Sequence, residues 1–426
     1  MSMRKRGELI VSLDVGTTRT CVVVAEAHHT GDGDTRTYMI QSGDIGIDII
    51  GFGLVPSRGT RKGVVVNMEE VIGSIRDAIR QAEDSSGVEI KAVYAGLKGR
   101  HIDYINSHGV IAISGAEVTQ DDVDRVINSA RAVAIPFDRS ILHVVPTGFT
   151  INGQNGIHDP RGMEGVRLET GVRIITADAM SVHNLKKACE KAGVEVIEVV
   201  FEPIATAMVV LDEDEKEMGV ALVDIGGGTT DIAVFFEGNL CHTSILPVGG
   251  TNFTNDIAIG LRTTTKDAEE IKKRYGTSML SLVGESEEIE VGYADSRHLR
   301  MLPRRHLIEI IQPRAEELMG LVMDDLNKSG YYGMLASGVV LTGGGALLGG
   351  MDIMAENMLE LPVRTGSLIA GRDIPGPLDS PAFTSSIGLV LYGAREMLKV
   401  TQGGNGGFLR GVISRLREWT GGLLGA

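Results

Sequence analysis

Residues 219–236, GVALVDIGGGTTDIAVFF, hold two apolar runs parted by a glycine turn. Val, Ile, Ala and Phe on either side of Gly226-Gly227-Gly228 predict strand, tight turn, strand. Backbone N–H groups converge at such a turn, and Thr229 and Thr230 add hydroxyl donors, a pattern suited to a phosphate. Asp224 stands in the same loop and would repel a polyphosphate unless a divalent cation lay between them. Its presence implies Mg2+, gripped largely through water.

The opening of the chain repeats this pattern. ELIVSLDV (8–15) and TCVVVAE (20–26) flank Gly16-Thr17-Thr18, with Asp14 in the place of Asp224, 210 residues earlier. Self-similarity over that distance predicts two related half-molecules. Either turn alone is ordinary; two in order, each behind an apolar strand, support one another.

A third glycine turn, Leu341-Thr342-Gly343-Gly344-Gly345-Ala346, follows a strand expected over 338–342 and leads into a helix expected to reach about Glu360. Strand, glycine turn and helix N-terminus together suit a nucleotide or phosphate. The spacing is not GxxxxGK[ST], which excludes a P-loop. Glu269 and Lys272 lie three apart on a helix expected over 266–275 and share one face. They are placed to hydrogen-bond an adenine and ribose, and the same spacing also suits a plain surface ion pair.

A chain of 426 residues at about 150 per domain holds roughly two to three domains. Its net charge of −15 opposes broad nucleic-acid binding. Cys21, Cys189 and Cys241 show no CxxC spacing and fit no disulfide framework, so reduced thiols and a cytosolic setting are expected. The start, MSMRKRGELIVSLD, has too short an apolar run for a signal peptide, and no apolar window is long enough to span a bilayer.

Between these landmarks an amphipathic helix is expected over 69–83. From Val88 to Glu164 short strands (92–95, 109–113, 141–151) surround one helix capped by Thr119, which reads as an inserted small domain. A helix from Ser181 to Ala192, capped by Ser181, precedes strand 194–200, and Glu202-Pro203 opens a short helix. The acidic run Asp212 to Glu217 reads as a solvated turn. A longer helix is expected over 304–328.

Residues 401–407, TQGGNGG, form a Gly-rich linker. Beyond it Phe408, Val412, Leu416, Trp419 and Leu423 recur at helical spacing, Leu409 and Ile413 widen the stripe, and Arg410, Arg415 and Arg417 supply positive charge. Such a segment suits the interface of an anionic membrane. One short helix gives a reversible anchor, and self-association would multiply its grip.

The three turns in this order resemble the superfamily of actin, heat-shock chaperone and sugar kinase ATPases. That resemblance implies an α/β, actin-like (ribonuclease H-like), duplicated two-lobed ATPase fold closing over ATP. Asp14-Val-Gly16-Thr17-Thr18 looks like its first phosphate loop and Asp224 to Asp231 like its second. Glu202-Pro-Ile-Ala-Thr-Ala looks like the first connecting helix, with Glu202 near the metal and the attacking water. Leu341 to Gly345 looks like the adenosine motif, and Thr384-Ser-Ser-Ile-Gly-Leu-Val like the second connecting helix.

Within the superfamily, the run Asn152 to Glu169 (NGQNGIHDPRGMEGVRLE) and the stretch Ala268-Glu269-x-Ile-Lys272-x-x-Tyr275-Gly276 resemble the FtsA family of bacterial cell division. The likeness extends from Leu9 to the C-terminus. It implies a first lobe at 8–86, an inserted α+β subdomain at 87–165, and the first lobe continued at 166–200. The second lobe follows at 201–250 and 313–380, with a small subdomain at 251–312. A connecting helix at 381–400, the linker at 401–407 and an amphipathic membrane helix at 408–424 complete the division.

It further implies self-association and a peripheral place on the inner face of the cytoplasmic membrane at the division site. Implied partners are the C-terminal tail of FtsZ and downstream division proteins. Arg304 and Arg305, beside Leu307, Ile310 and Ile311, are the candidates to receive the tail. Hydrolysis of ATP is left open, slow at most. Competing expectations are a pilus-assembly ATPase, which should lack the basic tail, and a sugar kinase, for which no separate base is identifiable. A chaperone would need well over 100 more residues.

Overall fold

In the computed structural model, which describes residues 7–30, 39–42, 44–99, 101–292, 299–369 and 373–401, the two aspartate hairpins take the same register. Strand Glu8–Val15 pairs antiparallel with Arg19–His29, Asp14 opposite Cys21 and Val15 opposite Thr20. Strand Val220–Ile225 pairs with Thr230–Phe236, Asp224 opposite Asp231 and Ile225 opposite Thr230. Strands Val220–Ile225 and Thr230–Phe236 are buried along almost their whole length and the other two through their central residues, which is why they read as apolar runs.

Each hairpin is the centre of a mixed sheet. One compact unit comprises described residues within 7–97, 184–210 and 366–401. Its strand order is Glu195–Phe201, Ala92–Leu97, Glu8–Val15, Arg19–His29, Ile45–Pro56, Ile40–Ser42. The other unit comprises 98–183 and 211–365, with the exception of the undescribed positions. Its main sheet runs Val363–Thr365, Val339–Thr342, Val220–Ile225, Thr230–Phe236, Asn239–Leu246. The first sheet carries a further short antiparallel strand, Ile40–Ser42, at its edge. In both sheets a three-strand antiparallel meander is extended by two parallel strands: Leu13 lies beside Ala95, and Asp224 beside Thr342. The halves anticipated from the 210-residue spacing are thus topological copies.

Helices cover these sheets. Met68–Ser86 starts at Asn67, whose side chain accepts the Glu70 N–H, and stops at Gly87 in the left-handed region at φ 69°. Its buried stripe (Val71, Ile72, Ile75, Ala78, Ile79, Ala82) packs closely enough that a Cβ at Gly53 would lie 1.9 Å from the Ala78 carbonyl. In the second unit Phe253, Ile257, Leu307, Ile311, Leu318 and Val322 close on Val223, Ile225 and Ile232. Cys21 and Cys189 are buried, and burial pushes both thiols up to about 12, which leaves them unreactive.

The insert is a four-stranded antiparallel sheet, ordered Gln154–Ile157, Arg139–Ile151, Arg167–Asp178, Ile102–Ala112, under helix Gln120–Arg131. Thr119 caps that helix as its sequence predicts, in a reciprocal box with Asp122. Two strands fall elsewhere than the sequence reading put them. Ala92–Leu97, grouped there with the insert, pairs in parallel with Glu8–Val15 and Glu195–Phe201. Arg167–Asp178, grouped with the first lobe, is an inner strand of the insert's sheet. Partners this distant in sequence leave no periodicity to read.

Two smaller expectations also change. The cap near Ser181 is Asp178, whose carboxylate accepts the Ser181 N–H at 2.7 Å, so helix Ala179–Ala192 begins two residues early. The acidic run is a short helix, Glu213–Met218, rather than a turn; Asp212, Glu213, Asp214 and Glu217 are exposed as expected, whereas Lys216 is buried and Glu215 holds Arg364 in a two-point contact at 2.8 and 2.7 Å. Among the described residues no helix is long and apolar enough to cross a membrane. The linker and the amphipathic segment carrying Phe408, Leu409, Arg410, Val412, Ile413, Arg415, Leu416, Arg417, Trp419 and Leu423 lie outside the described residues, apart from Thr401 at the end of the last helix.

Candidate functional site

The first turn closes with Gly16 N–H donating to the Arg19 carbonyl at 2.9 Å, and leaves Thr17 and Thr18 at its apex. Asp14 is 5% exposed. Its Oδ2 accepts the Ser386 hydroxyl at 3.0 Å, and Ser12 ties the Ser386 carbonyl at 2.8 Å. The other oxygen, Asp14 Oδ1, is buried without a hydrogen-bond partner, a costly state for a carboxylate that a cation or its water would relieve. Ser386 belongs to helix Thr384–Thr401, so the segment compared above with a second connecting helix fixes the Asp14 side chain.

The second turn closes in the same way, Gly226 N–H to the Thr229 carbonyl at 2.9 Å. Asp224 is likewise buried. Gly343 lies against it with φ 81°, and a Cβ there would meet Asp224 Oδ1 at 2.1 Å. Gly345 abuts Ile225, where a Cβ would come within 2.2 Å of Cγ2. Gly344 is exposed. The helix expected from this turn is first a single 3-10 turn, Gly344–Leu347, and only then an α-helix, Met351–Leu359. Two glycines of the three are therefore demanded by close packing on the second hairpin.

Glu269 and Lys272 belong to the same assembly. Helix Gly250–Gly260 begins on the second turn: Gly250 N–H donates to the Gly226 carbonyl at 2.9 Å and Thr251 N–H to that of Gly227 at 2.8 Å. Lys272 Nζ donates to the Gly250 carbonyl at 2.9 Å, to Thr254 Oγ1 at 2.8 Å and to Glu269 Oε2 at 2.7 Å. Burial works against the Glu269 carboxylate, yet hydrogen bonds from Lys272 and Thr254 outweigh it and hold the group below its usual range. Burial likewise works against the Lys272 ammonium and holds it below its usual range, opposed by its hydrogen bond to Glu269.

Glu202 opens helix Glu202–Val210 and is 1% exposed. Gly96 makes room for it, since a Cβ there would lie 2.7 Å from Glu202 Oε1. Thr206, one turn on, meets Ser385 Oγ at 3.0 Å, and Gly388 lets the two helices touch at the Ala205 carbonyl. Arg304 and Arg305 begin helix Arg304–Ser329. Arg304 is engaged, donating to the Tyr275 carbonyl at 2.8 Å and pairing with Glu287 at 2.7 Å. Leu307 and Ile311 are in the core, so they are not an open surface; the exposed apolar side chains nearest the two arginines in sequence are Leu299 and Met301 of strand Leu299–Pro303.

Sequence reading missed Ser386, Gly96, Gly250 and Thr254, and also Gly249, where a Cβ would lie 2.7 Å from the Gly226 carbonyl. A usable signal existed for one pair: Pro247-Val248-Gly249-Gly250 ahead of Phe253 and Ile257 at helical spacing marks a turn entering a helix. Ser386 acts on Asp14 and Gly96 on Glu202 across more than a hundred residues, whereas Thr254 acts through Glu269 and Lys272, 15 and 18 residues on.

Comparison with known proteins agrees with this architecture. The family described as "Cell division protein FtsA" matches residues 221–388, and the "SHS2 domain inserted in FTSA" matches 99–176. The cell division protein FtsA of Pseudomonas aeruginosa is 41% identical over 396 residues, covering 93% of this chain and 92% of that protein. That of Bacillus subtilis is 37% identical over 91% of this chain and 84% of its own. Among solved structures, the "PilM-PilN type IV pilus biogenesis complex" aligns at a TM-score of 0.62 and 16% identity, covering 90% of this chain and 98% of that one. MreB5 of Spiroplasma citri aligns at 0.54 and 16%, covering 93% and 99%. The fold is therefore actin-like, with two related α/β lobes and an inserted SHS2 domain, and the chain belongs to the FtsA family of cell division proteins.

Proposed function

We propose that the chain binds ATP with Mg2+ at its two phosphate turns, self-associates, and tethers FtsZ filaments to the inner face of the cytoplasmic membrane at the division site, recruiting later septal proteins there. The observation that carries the nucleotide part is the equivalence of the two hairpins: the same register, the same closing bond, and a buried aspartate at the same place in each. The buried Asp14 Oδ1 supports the cation. No cluster of three or more His, Cys, Asp or Glu side chains is arranged as a cage among the described residues, so the cation would be held through phosphate and water, with Asp14 and Asp224 as its protein carboxylates.

Gly16, Thr17 and Thr18 in the first turn, and Gly226, Gly227, Gly228, Thr229 and Thr230 in the second, serve the phosphates. Glu269, Lys272, Gly343, Gly344 and Gly345 serve the nucleoside. Glu202 orients the attacking water, with slow hydrolysis at most. MreB5 of Spiroplasma citri, of the same fold, was solved with ADP. The exposed apolar pair Leu299 and Met301 next to Arg304 and Arg305 supports docking of an acidic, apolar FtsZ tail. The stripe from Phe408 to Leu423 with Arg410, Arg415 and Arg417 supports the membrane anchor.

The test is co-pelleting on anionic vesicles with ATP, Mg2+ and purified FtsZ, comparing the full chain with one ending at Gly407. Only the full chain should carry FtsZ to the vesicles. If it binds vesicles and leaves FtsZ in solution, the tether fails while the anchor stands. If neither form binds, the membrane reading is withdrawn.

A further inference from the structure

A turn that grips phosphate must show its N–H groups to the ligand and turn its carbonyls away. In both turns the carbonyls are held from outside. The Gly226 carbonyl is held by the Gly250 N–H at 2.9 Å, and that of Gly227 by Thr251 through both N–H and hydroxyl, each at 2.8 Å. In the first turn, the carbonyl of Gly16, the counterpart of Gly226, accepts the Thr60 hydroxyl at 3.0 Å. The Thr18 carbonyl accepts the Ser57 N–H at 3.1 Å, and Ser57 Oγ meets Thr20 Oγ1 at 2.7 Å.

Both holds on the first turn come from one segment, 57–67. It is folded back by the pair Thr60–Arg61 and Val64–Val65. Gly59, at φ 73°, makes its base: its carbonyl accepts the N–H groups of Val66 at 2.8 Å and Asn67 at 3.0 Å. In a planar trans peptide, C=O and the following N–H point in opposite directions. Holding the Gly16 and Thr18 carbonyls from the side of this segment therefore aims the Thr17 and Arg19 amides the other way. What a backbone N–H does at Gly226, a side-chain hydroxyl does at Gly16.

We infer that Thr60 is a positioning residue for the phosphate site: it sets the Gly16–Thr17 peptide so that the Thr17 amide faces the ligand, and it links occupancy of the first turn to the exposed Arg61, Val64 and Val66 of its own segment. This rests on the nucleotide reading above. The asymmetry makes it testable, because a side chain holds the Gly16 carbonyl whereas a backbone N–H holds that of its counterpart, Gly226.

Affinity for ATP–Mg2+ is measured by isothermal titration on the full chain. Thr60→Val keeps shape and removes the donor, and is expected to weaken binding about fivefold to tenfold. Thr60→Ser restores it. Thr251→Val, which keeps its backbone bond, stays within about twofold of wild type. Thr60→Val melts like wild type without nucleotide and loses part of the ATP-induced rise in melting temperature.

Amide exchange on the wild-type chain gives an independent readout, since ATP should slow the Thr17 amide and residues 57–67. Tight binding by Thr60→Val, or no ATP effect on 57–67 in a wild-type chain that binds ATP, overturns the inference alone. A wild-type chain that binds no ATP overturns the nucleotide reading itself.

Discussion

The sharpest consequence of the packing concerns three glycines that a sequence treats as one motif. Gly343 should be irreplaceable, whereas Gly344 should tolerate alanine. At Gly343 the backbone is left-handed at φ 81°, which costs a non-glycine residue about 1–2 kcal/mol. The new Cβ would also stand 2.1 Å from Asp224 Oδ1 and 2.6 Å from the Ile225 carbonyl. Relieving that overlap means moving a buried carboxylate or a central strand, a further cost of about 1–3 kcal/mol. The sum, about 2–5 kcal/mol, corresponds to a fall of roughly 5–15 °C in melting temperature for a unit of this size.

Gly344 is exposed, opens a 3-10 turn and is not among the glycines with positive φ. Its alanine variant should stay within about 0.5 kcal/mol of wild type. Thermal unfolding by circular dichroism separates the two. ATP–Mg2+ binding should fall in Gly343→Ala along with stability, because the displaced group is Asp224. Equal melting temperatures for both variants would refute the argument that packing on Asp224, not ligand contact, selects this glycine.

Three further outcomes follow from contacts elsewhere. Lys272→Met removes three donated bonds and leaves Glu269 to the Thr254 hydroxyl and Lys273; about 1–3 kcal/mol should be lost, read as a lower melting temperature. The Arg364 fork outweighs burial and holds Glu215 below its usual carboxylate range, so its contribution is present above the ordinary unfolded value and is lost as pH falls through the folded one. Arg364→Met should therefore flatten the acid side of the stability profile and leave its slope above neutrality unchanged. Thr119→Ala should cost about 1 kcal/mol, seen first as faster amide exchange within the insert helix Gln120–Arg131.

The parts of the fold that were legible in sequence share a physical basis. The hairpins around Asp14 and Asp224 are local: apolar strands, glycine at the turn and threonine after it occupy fewer than twenty residues each. Helix Met68–Ser86 declared itself by its apolar stripe, and Thr119 by its cap, because both are set within a few residues. Strand Ala92–Leu97 was legible as a strand at 92–95, but its place was not, since that is fixed by parallel pairing with a strand some eighty residues earlier. Glu215 looked solvated because its partner, Arg364, lies 149 residues away.

By itself, then, the sequence determined the duplication, the two glycine–threonine turns and the aspartate ahead of each. Turn geometry and hydrophobic period are local properties, and their repetition is countable along a chain. Only the tertiary structure decided what each group does next to its neighbours. It set Ser386 on Asp14, turned Lys272 onto the carbonyl that begins the helix behind the second turn, and gave the Gly16 carbonyl to Thr60. Those contacts arise when distant strands and helices pack. A buried polar atom must find a partner wherever the fold supplies one, and no spacing rule encodes that search.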